Sequence, residues 1–420
     1  MSLLRRLFRR SGGQPPGAAH LALDIGTEYA KALVFEYDDG SATVTGVGRR
    51  RQGLSHMQSG TVADIPAVVR NCQAALDEAE SMSGRSAQKV VIGIAGELVK
   101  GFTTTRTIER RRPDSSVTHS ELERLLEAIE TDAAAEAQRT ITWETGLANV
   151  DVRLVHAGVA AAGIDGYAVS NPVGFQGRHL RISVFNAYAP LVHLGALESV
   201  VEHLGLDLIK VVAEPYAVAR SIAGEQVGQS GALFIDVGGG TTDVALVRAG
   251  SVEGTRMFAL GGRAFTKSLA DRLDVTFEEA ESVKIAHARG EDVEAADEVR
   301  RIINEDIAVW AAGVELVLEE FGHEGLLPGR IELCGGGAAL PEIRAALEAD
   351  GFAPGLPFAR RPQVSMMDPD AVSEISDETG LLVDQQDVTP MALAYQAVEA
   401  AQPQEPLDAA LTRVLKGMRV

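Results

Sequence analysis

One pattern occurs twice in this chain: an apolar strand, an Asp-x-Gly turn and a second strand. It runs first through Leu-Ala-Leu-Asp24-Ile25-Gly26-Thr27 into Lys31–Asp38. It returns as Ala232-Leu-Phe-Ile-Asp236-Val237-Gly238-Gly239-Gly240-Thr241-Thr242-Asp243 and the strand that follows. A self-similar hairpin that recurs so far along the chain predicts two related halves. The length of 420 residues agrees, being too great for one compact core.

Each turn has chemistry of its own. Glycine lets backbone N–H groups approach a phosphate with no Cβ in the way. A strand-end Asp beside such a turn can hold a hydrated divalent metal. The first turn alone is explained more readily by an ordinary hairpin. The second is stronger, because consecutive glycines between apolar strands weaken a purely structural turn; a phosphate cradle accounts for them, and Thr241 and Thr242 add hydroxyls. A third glycine turn, Cys334-Gly335-Gly336-Gly337-Ala338-Ala339-Leu340, follows the strand Arg-Ile-Glu-Leu. Small residues there let a flat ring or a phosphate lie against backbone and helix start, and a tight strand-to-helix turn is the plain alternative. Glu214-Pro215 stands at a strand-to-helix junction between the two hairpins. It reads as a carboxylate that positions an attacking water, or as a helix N-terminal acid with Pro in the first turn. Glu281 and Lys284 share a helix face, either on a ribose and base or as a solvated pair.

Composition excludes several classes. At 45% hydrophobic and 23% charged the chain is ordinary globular protein. A formal charge of −20 opposes a nucleic-acid binder, so none is expected as a partner. The two cysteines, Cys72 and Cys334, make neither a disulfide framework nor a metal motif and fit a reducing cytoplasm. No apolar run is long enough to span a bilayer, and the start lacks the apolar core of a signal peptide. Neither a P-loop, nor kinase, nor serine-hydrolase motif is present.

Periodicity predicts a third strand at 43–48, a helix over 64–83, a strand at 90–96 and a helix capped by Thr118 or Ser120. Strands and turns are expected over 150–185, a helix over 188–204, and strand then helix around Glu214. Further helices are expected at 264–273, 276–289, 295–321, 390–401 and 407–420, with an irregular loop over 353–388.

Taken in order, Asp24-x-Gly-Thr, Glu214-Pro, Asp236-x-Gly-Gly-Gly-Thr-Thr-Asp and Gly335-Gly-Gly-Ala resemble the actin, heat-shock chaperone and sugar-kinase superfamily. Within it the chain most resembles FtsA, the bacterial cell-division actins, over residues 20–345. Val-Val-Ile-Gly-Ile-Ala-Gly at 90–96, Ser-Asn171-Pro172-Val173-Gly174 and Ala-Glu-Ser-Val-Lys at 280–284 carry that likeness. The resemblance implies an α/β, two-lobed actin-like ATPase fold with an inserted FtsA-type 1C (SHS2) subdomain and a reduced, mostly helical 2B subdomain. Its implied divisions are a basic segment and linker 1–19, subdomain 1A at 20–88 and 177–228, and 1C at 89–176. They continue with 2A at 229–263 and 329–388, 2B at 264–328, a return helix at 389–401, and a linker and helix at 402–420. The implied cofactors are ATP and Mg²⁺. Asp24 and Asp236 would hold the metal through water, and Glu214 would sit near the γ-phosphate. Gly26, Thr27, Lys31, Gly238, Gly239, Gly240, Thr241 and Thr242 would surround the phosphates. Glu281 and Lys284 would face ribose and adenine, with Gly335, Gly336 and Gly337 beside the nucleotide.

Both termini are amphipathic. Leu3, Leu4, Leu7 and Phe8 accompany Arg5, Arg6, Arg9 and Arg10. Leu411, Val414, Leu415 and Met418 form one side of the last helix, opposite Arg413, Lys416 and Arg419. Such faces suit the interface of an anionic membrane, or a terminus docked on the body. The expectation is therefore a cytoplasmic, peripheral membrane protein at the division site. It would bind the FtsZ C-terminal tail and other divisome proteins, self-associate into filaments, and hydrolyse ATP slowly if at all. The reduced 2B places the FtsZ contact in question. A PilM-like pilus adaptor or a small-molecule kinase of the same superfamily is the alternative.

Overall fold

The structure, a computed structural model, describes residues 19–418 except 39, 148–149, 223–226, 228–229, 324, 353 and 403–404. The basic segment expected to meet a membrane, with Leu3, Leu4, Arg5, Arg6, Leu7, Phe8, Arg9 and Arg10, lies outside the described residues.

The first hairpin is β1 (Ala19–Ile25) and β2 (Tyr29–Asp38), extended by β3 (Ser41–Arg51). A small hairpin, β4 (Met57–Gln58) with β5 (Thr61–Val62), leads to α1 (Ile65–Ser83). Asp64 starts that helix by accepting from the Ala67 backbone N–H at 3.0 Å. The Gly-Val-Gly at 46–48 now has a cause: a Cβ on Gly46 or Gly48 would lie 2.1 or 1.9 Å from carbonyls of α1. β6 (Lys89–Ile94) runs parallel to β1.

An inserted unit follows, made of β7 (Lys100–Glu109), α2 (His119–Thr145), β8 (Val152–Ile164), β9 (Tyr167–Ala168) and β10 (His179–Pro190). Both expected borders of the 1C insertion move. β6 belongs to the first sheet by its pairing with β1, and β10 is the central strand of the inserted sheet between β7 and β8. α3 (Leu191–Leu204) starts three residues later than periodicity suggests, because β10 continues to Pro190. β11 (Asp207–Ala213) and α4 (Glu214–Ile222) return to the first lobe.

The second lobe repeats the opening with β12 (Ala232–Val237), β13 (Thr242–Arg248) and β14 (Ser251–Phe258). Then come α5 (Gly262–Leu273), α6 (Phe277–Ala288) and α7 (Ala296–Gly322), a wholly helical segment where a reduced 2B was expected. β15 (Arg330–Cys334) and α8 (Pro341–Glu348) complete this lobe with β16 (Gln363–Met366). The loop expected over 353–388 is not irregular throughout. Besides β16 it contains β17 (Ile375–Asp377), which pairs parallel with β3 and so crosses back to the first lobe. α9 (Val388–Ala401) then packs on that lobe, and α10 (Pro406–Met418) ends the described chain.

Two large sheets result. One has the order β11-β6-β1-β2-β3-β17. The other runs β16-β15-β12-β13-β14-β7-β10-β8-β9, so the insertion is hydrogen-bonded edge to edge with the second lobe. That junction needs glycine: a Cβ on Gly101 would stand 2.1 Å from the Thr255 hydroxyl. The mixed α/β, actin-like architecture is the one expected.

α10 corrects the membrane expectation for its own residues. Leu411 and Val414 are buried with Leu407 and Ala410 against Leu122, Leu125, Leu126 and Ile129 of α2 and its sheet. Leu415 is partly covered and Met418 is exposed. Asp408 accepts from the Val159 N–H at 3.1 Å, and Arg413 pairs with Glu123 at 3.1 Å. An apolar stripe on a helix fits a protein groove as well as a lipid surface; here the groove is filled. No described helix is long and apolar enough to cross a membrane.

Inside the insertion, Glu130 is 2% exposed, and burial pushes its carboxyl up to about 7. With its amide turned toward the carboxylate, Asn186 donates to both oxygens at 3.0 and 3.1 Å, which opposes part of that shift. The folded value lies above the usual 4.5, so stability present at low pH is lost as pH rises toward 7. Glu130→Gln should therefore raise the melting temperature at pH 8, by the equivalent of about 3 kcal/mol, with little gain at pH 4.5. Thermal melts of both proteins across that range check it; equal gains at the two ends would refute the buried charge.

Candidate functional site

The two Asp-x-Gly turns face each other across the lobes and close one side of a cleft of about 590 Å³. Their backbones are built alike. Gly26 N–H donates to Tyr29 O at 3.0 Å, and Gly238 N–H donates to Thr241 O at 2.9 Å. The missing side chains make the fit: a Cβ on Gly240 would lie 2.7 Å from the Thr27 hydroxyl, and one on Gly239 3.0 Å from Glu28 Cβ. The third glycine turn comes from the end of β15. Gly335 has φ +86°, and a Cβ there would stand 2.1 Å from Asp236 Oδ1. Its N–H donates to Gln385 O at 3.1 Å, tying the turn to the segment that crosses between the lobes.

Most residues expected from the sequence line this one cleft. Asp24, Gly26, Thr27, Lys31, Glu214, Asp236, Gly238, Gly239, Gly240 and Thr241 form its turn side. Glu281, Lys284, Gly335, Gly336 and Gly337 form the rest of its expected set. Thr242 is the exception and corrects the expectation. Its hydroxyl donates to Leu260 O at 2.7 Å and accepts from the buried Trp310 indole at 2.9 Å, so it faces the second-lobe core. Strand alternation sends neighbouring side chains to opposite faces, and Thr242 follows Thr241.

The duplicated hairpins differ where charge matters. In the first, Asp24 lies opposite Lys31; in the second, Asp236 lies opposite Asp243. Lys31 Nζ is 3.6 Å from Asp24 and also donates to Gln386 O at 2.5 Å. Thr389 at the start of α9 donates to Asp236 at 2.5 Å. Asp243 accepts from Thr241 at 3.3 Å through one oxygen, while its buried Oδ1 has no hydrogen-bond partner among the described residues. Burial pushes the Asp24 and Asp236 carboxyls up, against the pull of Lys31 in both and of Thr389 in Asp236. Burial, and then Asp236, hold Asp243 well above the usual carboxylate range. Glu214 is driven well above it too, by burial first and then by Asp24, Asp243 and Asp236. The site thus concentrates carboxylates around one ammonium group and favours any cation that enters. Among the described residues, no group of three or more His, Cys, Asp or Glu stands close enough to ligate a metal directly.

At the other end, Lys284 and Glu281 pair at 2.8 Å with side chains only 11% and 14% exposed. The solvated-pair alternative therefore falls. Lys284 also donates to Gly262 O at 3.0 Å and to Thr266 Oγ1 at 2.7 Å, which fixes α6 against α5. Ile285, Ala288 and Met366 give this end its apolar walls.

Several lining residues were not picked out from the sequence. Asp243 had a signal, since it closes the second motif at the position Lys31 holds in the first. Glu28 and Arg263, paired at 2.7 Å across the lobes, and Thr389 had none. Their place depends on which elements the tertiary fold brings to the cleft.

A family model described as cell division protein FtsA matches residues 233–378, from β12 through β17. The cell division protein FtsA of Pseudomonas aeruginosa is 29% identical over 275 residues, 65% of this chain and 61% of that protein. The match thus spans less than two thirds of that relative's length. The Bacillus subtilis protein of the same description is 26% identical over 345 residues, 77% of this chain and 74% of its own. Among solved structures, a PilM–PilN type IV pilus biogenesis complex superposes with TM-score 0.65 at 17% identity, covering 92% of this chain and 100% of that one. At that identity the likeness speaks for the fold alone. Motif order, family model and curated relatives agree: the chain is similar to the FtsA cell-division proteins, on an actin-like fold.

Proposed function

We propose that this protein binds ATP with Mg²⁺ in the interlobe cleft and serves cell division as an FtsA-type actin. On this reading it works at the cytoplasmic face of the membrane at the division site. There it tethers an FtsZ filament by its C-terminal tail, meets other divisome proteins and self-associates. The observation that carries the nucleotide reading is the facing pair of glycine turns beside an electron-rich, incompletely partnered carboxylate cluster. Turn N–H groups receive phosphate oxygens. The carboxylates repel them, so a divalent cation is needed between the two. Bound Mg²⁺ supplies that charge neutralisation and orients the phosphates.

The residues divide the work. Asp24 and Asp236 accept hydrogen bonds from metal-bound water, with Asp243 Oδ1 as a further acceptor. The Gly238 N–H is taken by Thr241 O, which leaves the Gly239 and Gly240 N–H groups of the turn for a phosphate, and Thr27 and Thr241 add hydroxyls. Lys31 offsets one carboxylate charge. Glu214 holds its proton more firmly than an ordinary glutamate, which suits orienting a water better than removing its proton. Slow turnover, or binding with no turnover, is compatible with this set of residues.

The membrane and partner readings rest on the relatives. With α10 docked, the membrane-facing expectation passes to the basic segment at residues 1–12.

Two outcomes are expected. Titration calorimetry should detect ATP binding that depends on Mg²⁺, and Asp243→Asn should weaken it roughly tenfold, as loss of a charge-assisted hydrogen bond does. The same substitution should raise the melting temperature of the ligand-free protein, more at pH 8 than at pH 5, because it removes a buried carboxylate whose raised value costs stability as pH rises. Absence of ATP binding with and without Mg²⁺ would sink the nucleotide reading. Secondly, the full chain should carry FtsZ into the pellet with anionic liposomes in the presence of ATP, and deleting residues 1–12 should abolish the pelleting. Pelleting that is unchanged by the deletion, or FtsZ left in the supernatant, counts against the tethering reading.

A further inference from the structure

The first phosphate turn contains a charged residue that the nucleotide reading leaves without a task. Glu28 follows Thr27 in the turn, and its side chain is 17% exposed. One oxygen takes Arg51 Nε of its own lobe at 2.6 Å. The other takes Arg263 Nε of the second lobe at 2.7 Å. Arg263 also donates through its other guanidinium nitrogen to Gln52 O at 3.1 Å, a second contact across the lobes.

These contacts are joined directly to both turns. Arg263 backbone N–H donates to Gly239 O at 2.8 Å, inside the second turn. Gln52 N–H donates to Glu28 O at 2.8 Å, inside the first. Arg51 thus fixes one oxygen of the Glu28 carboxylate and leaves the other aimed at Arg263. Arg263 is held at its own backbone by the turn it would close. Its side chain is 13% exposed, so the pair is partly withdrawn from solvent and outranks an ordinary surface ion pair. Both residues line the cleft, whereas no carboxylate of the central cluster reaches Arg263 in a hydrogen bond among the described residues.

We propose that Glu28 and Arg263 form an interlobe clasp across the mouth of the two phosphate turns. They are positioning residues: they hold the turns at their facing distance and set how fast a bound nucleotide escapes. The proposal rests on the nucleotide reading for its ligand, but the clasp is a property of the ligand-free protein as well. Opening the cleft by hinge motion requires breaking the Glu28–Arg263 and Gln52–Arg263 contacts together.

The test uses the full chain and two readouts. The first is release of N-methylanthraniloyl-ATP with Mg²⁺, chased by excess ATP. Glu28→Gln and Arg263→Gln should each speed release roughly tenfold, the scale of a lost charge-assisted hydrogen bond. The double variant should be no faster than Arg263→Gln alone, because that substitution already removes the Glu28 contact together with the Gln52 one. Arg263→Lys keeps the charge but loses the fork that reaches both Glu28 and Gln52, so it should fall between. The second readout is amide hydrogen exchange at residues 26–30 and 238–242 without nucleotide, which Glu28→Gln should accelerate in both turns together. Faster exchange in a protein that binds no nucleotide would leave the clasp standing and remove the ligand. Unchanged release and unchanged exchange, or additive effects of the two substitutions, would overturn the clasp while leaving nucleotide binding intact.

Discussion

The arrangement of the molecule turns on the crowding of Asp24, Asp236, Asp243 and Glu214 around the single ammonium of Lys31. Like charges in a buried site cost free energy unless they are protonated, paired or neutralised by a cation. Here pairing is incomplete. Thr389 serves Asp236 and Lys31 serves Asp24, yet Asp243 keeps an unpartnered oxygen. Such a site persists only because the surrounding strands over-determine it. β1, β12 and β13 are largely apolar and buried in their lobes, and their hydrogen-bond ladders hold Asp24, Asp236 and Asp243 at their strand ends, while Glu214 opens α4. Stability is drawn from the lobes and given up at the cleft.

The rest of the chain maintains that juxtaposition. The segment after β16 leaves the second lobe, adds β17 to the first sheet and delivers Gln385, Gln386 and Thr389 to the cleft on its way to α9. The inserted unit is tied by β7 to β14 in the second lobe, while its neighbours β6 and β11 sit in the first sheet. α10 then seals the far side of the insertion. Relative movement of the lobes is therefore restrained at the insertion, at the crossing segment and at the Glu28–Arg263 contact. The last of these is the one that touches both Asp-x-Gly turns.

Much of this was legible in the residues. Alternation and apolar runs located the strands, Thr118 was one of the two caps expected for its helix, and three glycine turns marked the cleft wall. What misled was amphipathicity. The stripe Leu407–Leu411–Val414 has the same appearance whether its partner is lipid or α2, because a hydrophobic face states that something covers it and not what. Pro- and Asp-rich composition hid β16 and β17 in the same way: short edge strands owe their existence to the neighbour they pair with more than to their own propensity. Thr242 failed for a third reason, a one-residue step along a strand that moves a hydroxyl from cleft to core.

By itself the sequence determined the duplicated hairpins, the glycine cradles and the order of motifs, since these depend on local backbone freedom and on side-chain alternation. Tertiary structure alone decided which charges meet. Hairpin register already sets Lys31 opposite Asp24 and Asp243 opposite Asp236, but Thr389 on Asp236, Glu28 on Arg263 and α10 on α2 are contacts between distant segments. No local rule encodes them, because their energies arise from distance and burial that exist only after the lobes have packed.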